Sequence, residues 1–478
     1  MSLIGRSIQL LLMTAIGIFS FAMADTSDPF ATQSLTAPSP AESSTTPTPP
    51  SPCDFSTSPT ADLSLSDVVE RALCNNPQTH EAWANARAQA AQLGVSQAAN
   101  LPSLSASGAL SHNKTNGRGT LTGAMSYDQQ SAGLSLSYLL YDFGARGASI
   151  DNAKQVLLAA NAAQDTAIQS VFLAAVQAYY QIFATQSAVQ AAMEAEKSAA
   201  EGLKAATVRY QVGAGTPADK LQAQTAYSQA VLNRIRAEGD ANNAQGELAN
   251  VMGLDADVQV RIAPPHDQTP DENFTQDVTH LIDEARNHRP DLAAAEAQLK
   301  AAQANVTAAQ AAGRPSISMS ADLNYNDTSA SDPFRSSAVG LNLSVPLFTG
   351  YNTTYRVRAA QEQVAVRAAQ RDNIRQKIAL DVWKAYQSLL TETQSLRSSV
   401  DLVDSAAQSA RVALGRYKAG AGNILDVLTA QSALASARQQ NVQALYGWYI
   451  AKATLAQSMG QLDFAAITAP STQPAHRN

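Results

Sequence analysis

Hydrophobic residues in this chain follow two different periods, and the sequence runs through the same succession of periods twice. In "SAGLSLSYLLY", Leu134, Leu136, Tyr138 and Leu140 fall on one face, and Ser131, Gly133, Ser135 and Ser137 on the other. "SAVGLNLSVPL" sets Val339, Leu341, Leu343, Val345 and Leu347 against Ala338, Gly340, Asn342 and Ser344. "SISMSADLNY" does the same with Ile317, Met319, Ala321, Leu323 and Tyr325, and "LSASGAL" with Leu104, Ala106 and Leu110. A period of two predicts β-strands with one apolar and one polar face. Elsewhere the period is helical. Ile168, Phe172, Ala175, Tyr179 and Ile182 recur in steps of four and three, which is the seam of a coiled coil. Neither Gly nor Pro occurs from Ala148 to Glu201, or from Tyr351 to Leu414. Helices of that extent reach ~100 Å at ~1.5 Å per residue, so they need partners along their whole length.

The two halves correspond in order. "NNPQTHEAWANARAQ" from Asn75 is answered by "HRPDLAAAEAQLKAA" from His288, Pro102 by Pro315, and "LLYDFG" by "VPLFTG". "RYQVGAGTPADKLQAQ" from Arg209 is answered by "RYKAGAGNILDVLTAQ" from Arg416. An internal duplication governs the fold assignment before any local detail does. Each half reads helix, strand, strand, long helix, turn, helix. The first repeat covers 61–254, with strands at 102–112 and 131–142, a long helix at 146–211, a turn at 212–216 and a helix at 217–252. A linker spans 255–276. The second repeat covers 277–462, with strands at 315–326 and 337–348, a long helix at 351–418, a turn at 419–423 and a helix at 424–458.

Composition narrows the class. Hydrophobic residues make up 45% of the 478 residues, charged residues only 15% and aromatics 6%; much of the apolar share is Ala, which suits close helix packing. The net charge is −7, and with no basic stripe a nucleic-acid partner is not expected. Arg6, the apolar run Ile8–Met23 and the small-x-small site Ala22-Met23-Ala24 predict a signal peptide over 1–24. The competing reading is an anchor helix, for which about 16 residues fall short of the ~20 that span a bilayer. Residues 25–60, rich in Ser, Thr and Pro, read as a flexible tail, as do 463–478. Cys53 and Cys74 either pair in an oxidising compartment or stay free thiols.

The strands admit a soluble antiparallel sheet or a membrane barrel. Small uncharged residues on the polar faces and few edge Lys or Glu favour the barrel, apolar outward and polar inward. Tyr138, Tyr141, Phe143, Phe348 and Tyr351 cluster where strand meets helix, the level of an interfacial aromatic belt. Four strands cannot close in lipid, so copies must pool theirs; eight, twelve or sixteen strands all satisfy the backbone.

The duplicated pattern, the Pro-Ser strand entries and the paired "RY..G.G....D.L.AQ" turns resemble the TolC family of outer-membrane efflux and secretion ducts. The resemblance covers about 61–462. It implies a mainly α fold with a membrane β-barrel part: a homotrimer whose twelve strands form a barrel in outer-membrane lipid, continued by a periplasmic α-helical barrel. It implies partnership with a periplasmic adaptor and an inner-membrane pump of ABC or RND type, as in type I secretion. It also implies that Asp219 links to Tyr417 and helps hold the periplasmic tip shut. The family pattern carries an arginine at the position of Gly422 and a second aspartate at that of Thr429, so lock and acidic ring are weaker here.

The repeated turn joins each long helix to the next. Gly213, Gly215, Gly420 and Gly422 are expected to supply positive φ, with Thr216 and Asn423 as caps and Asp219 and Asp426 three residues on. Both aspartates can simply satisfy first-turn N–H groups; alternatively Asp426 lines an acidic ring at the tip. The glycine turns offer a docking surface for the adaptor, or only a helix break. A phosphate-loop reading of "GAGTPADK" fails because a helix, not a strand, precedes it. The six histidines form no metal-spaced cluster and Trp83, Trp383 and Trp448 lie in helical stretches. No catalytic, cofactor-binding or metal residues are therefore assigned, and no enzyme activity or cofactor is expected. The alternative function is a soluble periplasmic coiled-coil adaptor.

Overall fold

In a computed structural model, the structure describes residues 28–37, 53, 62–115, 125–265 and 277–462. The signal-peptide segment and the C-terminal tail lie outside the described residues. The chain divides into two compact units, one made of residues 1–37, 85–158 and 297–367, the other of 38–84, 159–296 and 368–478.

The first unit holds the sheet. Strands β1 (Ser103–Thr115), β2 (Met125–Tyr141), β3 (Ser316–Thr328) and β4 (Ser331–Ser344) pair antiparallel in that order. They differ in extent from the periodicity estimate because cross-strand pairing continues where alternation fades. β2 starts at Met125, β3 and β4 are separated only by Ser329 and Ala330, and β4 ends before Val345, Leu347 and Phe348. Register aligns the two faces. Leu104, Leu136, Ala321 and Val339 form one row, and Ala106, Leu134 and Leu323 part of the next. Between them, on the opposite face, runs the row of Ser105, Ser135 and Asp322, which ends at the small Ala338. The register shifts between Leu139 and Tyr141, so that Tyr141 rather than Leu140 opposes Ile317.

The segment expected to be a flexible tail is partly docked. Residues Thr32–Leu35 form a 3-10 turn, held by the Asp28 carboxylate, which accepts from the Gln33 N–H at 2.7 Å and the Thr32 hydroxyl at 3.1 Å. Thr32 is buried against helix α2 (Pro77–Ala98), where Gly94 leaves room for its methyl. Arg87 donates to the Gln33 side-chain oxygen at 2.9 Å.

The second unit is helical. Helix α1 (Leu65–Asn75) opens on a Ser64–Asp67 capping box. Its buried face, Val68, Val69 and Ala72, packs with Phe172, Ala175, Tyr179 and Ile182 of the long helix α3 (Ala145–Gln211). Helix α4 is Pro217–Val251, α5 Val278–His288, α6 Pro290–Ala311, α7 Asn352–Lys418 and α8 Ile424–Ser458. The residues leading from α4 to α5 pair with the chain before α1. Leu63 donates to the Arg261 carbonyl at 2.9 Å and accepts from the Ala263 N–H at 2.8 Å, forming a parallel bridge. Tyr179 fastens this bridge by donating its hydroxyl to Ala263 O at 2.6 Å. Tyr180 stacks on Tyr449 of α8 with ring centroids 4.7 Å apart. Burial pushes the Tyr179 phenol up to about 12, aided by neighbouring Tyr446, so these hydroxyls stay neutral across the physiological range.

Cys53 and Cys74 are disulfide-bonded, which resolves the open alternative. The bridge closes 21 residues of chain, and loop-closure entropy makes such a link worth about 3 kcal/mol. Cys53→Ser is therefore expected to lower the thermal midpoint, and reductant to lower the parental protein's to the same value. A midpoint indifferent to both would show that the bridge adds no stability.

Candidate periplasmic tip

Both helical hairpins, α3–α4 and α7–α8, end in one construction used twice. Gly213 (φ 76°) and Gly420 (φ 78°) are the left-handed residues that stop α3 and α7. In the first, Gly213 N–H bonds to Tyr210 O at 3.1 Å and Ala214 N–H to Arg209 O at 2.8 Å. In the second, Gly420 N–H reaches Tyr417 O at 3.1 Å and Ala421 N–H reaches Arg416 O at 2.9 Å. These paired bonds are Schellman motifs, and they satisfy carbonyls that the helix end would otherwise leave open.

Gly215 and Gly422 correct the expectation placed on them. Neither is among the residues of positive φ. Their role is close approach: a Cβ would stand 3.1 Å from the Tyr210 nitrogen in one turn and from the Tyr417 nitrogen in the other. The Gly-Ala-Gly signature thus combines one conformational glycine and one steric one.

The next helices start differently. Thr216 and Asp219 form a reciprocal capping box around α4, with Asp219 accepting the Thr216 N–H at 3.2 Å and Thr216 Oγ1 accepting the Asp219 N–H at 3.1 Å. Asn423 caps α8 through the Leu425 N–H at 3.1 Å and leaves Asp426 exposed in the first turn.

A small core joins the hairpins: Ala206 of α3 and Ala223 of α4 meet Tyr417 of α7 and Ile424 and Val427 of α8. Arg209 spans the seam. Its Nη2 donates to Ala214 O of its own turn at 3.1 Å, and its Nη1 to Tyr417 O at 2.6 Å. The same guanidinium lies 4.7 Å from the centre of the Tyr417 ring. Farther along, Gln431 donates to Ser198 O at 2.9 Å and Arg438 pairs with Glu194 at 2.6 Å.

The Asp219–Tyr417 link implied by the resemblance is not made. Asp219 accepts within its own capping box, and the buried Tyr417 hydroxyl has no hydrogen-bond partner among the described residues. The two still feel each other. Burial raises the Tyr417 phenol above the usual tyrosine value, the Asp219 carboxylate adds to the rise, and Arg209 opposes it. Arg209, which sequence reasoning passed over, bridges the hairpins at their turns. The "RY" pair at each helix end was its only signal.

At the strand–helix junctions, Tyr141 and Phe143 meet edge-on with centroids 4.7 Å apart, and Phe348 and Tyr351 at 5.6 Å. Phe143 with Gly144, and Gly350 with Tyr351, are consecutive positive-φ pairs that turn the chain from strand to helix. Tyr138 lies within β2, opposite Met319.

Comparison with known proteins agrees with this architecture. A profile of the family described as outer membrane efflux protein matches residues 68–254 and 281–461, one segment per repeat. Protein CyaE of Bordetella pertussis is 30% identical over 385 residues, covering 80% of each chain. The alkaline protease secretion protein AprF of Pseudomonas aeruginosa is 25% identical, over 85% of this chain and 86% of its own. Among solved structures, the CmeC outer membrane channel of Campylobacter jejuni superposes with a TM-score of 0.75 at 21% identity, over 86% of this chain and 87% of that one. A soluble adaptor is thereby set aside: the chain belongs to the outer membrane efflux protein family, the TolC-type channels of the bacterial outer membrane.

Proposed function

We propose that three copies of this chain close a twelve-stranded barrel in the outer membrane and form the exit duct of a tripartite efflux or type I secretion system. A periplasmic adaptor and an inner-membrane pump of ABC or RND type would complete it. The observation that carries this reading is the uncovered apolar face of the sheet: Leu110 is 83% exposed, Val339 80% and Leu341 73%. Monomeric soluble proteins rarely leave such a contiguous patch bare. β1 and β4 also end the strand order, so each has one side without a pairing strand among the described residues. Lipid covers such a face, and strands from other copies satisfy such edges. The junction aromatics Tyr138, Tyr141, Phe143, Phe348 and Tyr351 suit the membrane interface.

The hairpin turns form the periplasmic gate and, through Gly213, Gly215, Gly420 and Gly422, the adaptor surface. Asp219, Tyr417 and Asp426 belong to this gate, with Asp426 as the exposed carboxylate available to a ring. Fractionation tests the reading. The mature chain should partition with outer membranes and run as a heat-dissociable trimer in unheated detergent gels. A monomer in buffer without detergent would overturn it.

Arg209 gives the gate a specific test. A charge-assisted hydrogen bond and a cation–π contact together are worth about 2–3 kcal/mol. Arg209→Ala is expected to raise single-channel conductance in planar bilayers. Tyr417→Phe keeps ring and carbonyl and should leave conductance near the parental value. Equal rises in both would place the lock in the Tyr417 hydroxyl instead.

A further inference from the structure

The seam between the two hairpins of one chain has a counterpart surface left open among the described residues. The offset that carries Arg209 onto Arg416 also carries Tyr210 onto Tyr417, Gln224 onto Gln431 and Ser198 onto Ser405. On α8, the face bearing Ile424, Val427 and Gln431 is packed against α3 and the end of α7. The equivalent face of α4 bears Pro217, Lys220 and Gln224; Pro217 and Gln224 are exposed and Lys220 is half-buried. Tyr417 is 2% exposed, whereas its equivalent Tyr210 is 43% exposed.

The donors and acceptors match as well. Tyr417 O accepts twice, from Gly420 N–H and from Arg209 Nη1. Tyr210 O accepts only from Gly213 N–H among the described residues, leaving its second lone pair open. Arg416 holds its own turn through Nη2 and Ala421 O at 3.4 Å, as Arg209 does through Ala214 O, but its Nη1 reaches nothing among the described residues. The chain thus carries both halves of a second seam, at opposite sides of its hairpin pair, and only a second copy can join them.

Resting on the trimer reading above, we infer that neighbouring copies meet at the tip through a replica of the internal seam. Arg416 donates to the Tyr210 carbonyl of the partner subunit and covers that ring, and Gln224 of the partner subunit donates to Ser405 O. The replica is not equal to the original. Where the internal seam buries Val427, the external one carries Lys220, whose ammonium stands 5.7 Å from the Tyr210 ring centre. Two cations then crowd one ring, and the apolar contact is lost. The seam between copies is therefore the looser of the two and the one at which the tip parts.

Paired cysteines test the contact, because both native cysteines are already in a disulfide. Gln224→Cys with Ser405→Cys is to be oxidised in outer membranes, and Tyr210→Cys with Arg416→Cys treated with a short bis-maleimide. Boiled non-reducing gels are expected to show two-chain and three-chain bands for each pair. The internal control, Ser198→Cys with Gln431→Cys, should stay at single-chain mass. Unheated trimers that boil to single chains in both test pairs would overturn the inference while leaving the trimer intact. A parental chain that gives no trimer before boiling would sink the trimer reading itself, and the inference with it. Should one pair fail to assemble, the other decides.

Discussion

Leu134→Arg is expected to abolish outer-membrane assembly, while Ser135→Arg, one residue away, is tolerated. The two positions lie on opposite faces of β2. Leu134 shares its face with Ala106 and Leu323, within the apolar band that lipid must cover. Arginine on a lipid-facing barrel strand costs about 2–4 kcal/mol near the bilayer midplane. In the proposed trimer three copies of the charge fall in one barrel, so the penalty triples. Ser135 shares the other face with Ser105 and stands directly opposite Asp322. An arginine there enters a polar lumen and finds a carboxylate across the strand pair, an arrangement that stabilises a sheet by ~0.2–1 kcal/mol. Trimer yield in outer membranes reads the difference. Loss in both variants, or in Ser135→Arg alone, would reverse the assignment of faces.

Gly253→Ala and Gly460→Ala should be the most damaging glycine substitutions in the helical unit. Both residues end helices through Schellman bonds, Leu254 N–H to Ala249 O at 2.9 Å and Gln461 N–H to Ala456 O at 3.0 Å. Both are left-handed, with φ of 72° and 75°. Beyond that, a Cβ at 253 would fall 2.4 Å from Asn75 O, and one at 460 would fall 2.9 Å from His288 O. Each glycine lies against the last turn of a short helix, α1 or α5, so the collision is with backbone and cannot be relieved by a rotamer. Gly213→Ala is the comparison: its φ is 76°, but nothing lies within 4 Å of the added carbon. It should carry only the conformational penalty, ~1–2 kcal/mol. Thermal midpoints of detergent-solubilised oligomers should fall slightly for Gly213→Ala and far more for the other two. Similar falls in all three would mean that helix termination, not close approach, governs these sites.

Arg209 and the Met-Gly pairs at 252–253 and 459–460 show where sequence reading stopped. The repeat itself was legible because "RY", "GAG" and the following Asp recur in order. The glycine roles were legible only in part. A positive φ is a local demand that a helix-ending Gly announces, whereas close approach depends on what arrives from elsewhere. Asn75 O faces Gly253 across a gap of chain that no spacing rule spans. Arg209 read as an ordinary residue at a helix end; its bond to Tyr417 O joins the two repeats. Asp219 was legible as a first-turn carboxylate that serves free N–H groups beside the Thr216 cap, whereas the hydrogen bond to Tyr417 that the resemblance implies is not made among the described residues.

By itself, the sequence determined the duplication, the long helices and the two-faced strands, because each is a periodicity and periodicity is local. It also determined that Gly213 and Gly420 end their helices, since a helix end must satisfy its own carbonyls, but not the close approach that requires Gly215 and Gly422. Only the tertiary structure decided that Cys53 joins Cys74, that residues 28–37 dock on α2, and that one hairpin's arginine closes on the other hairpin's carbonyl. Each of those needs two distant segments to meet. Their separation in space is set by packing, which no pattern along a single strand of residues encodes.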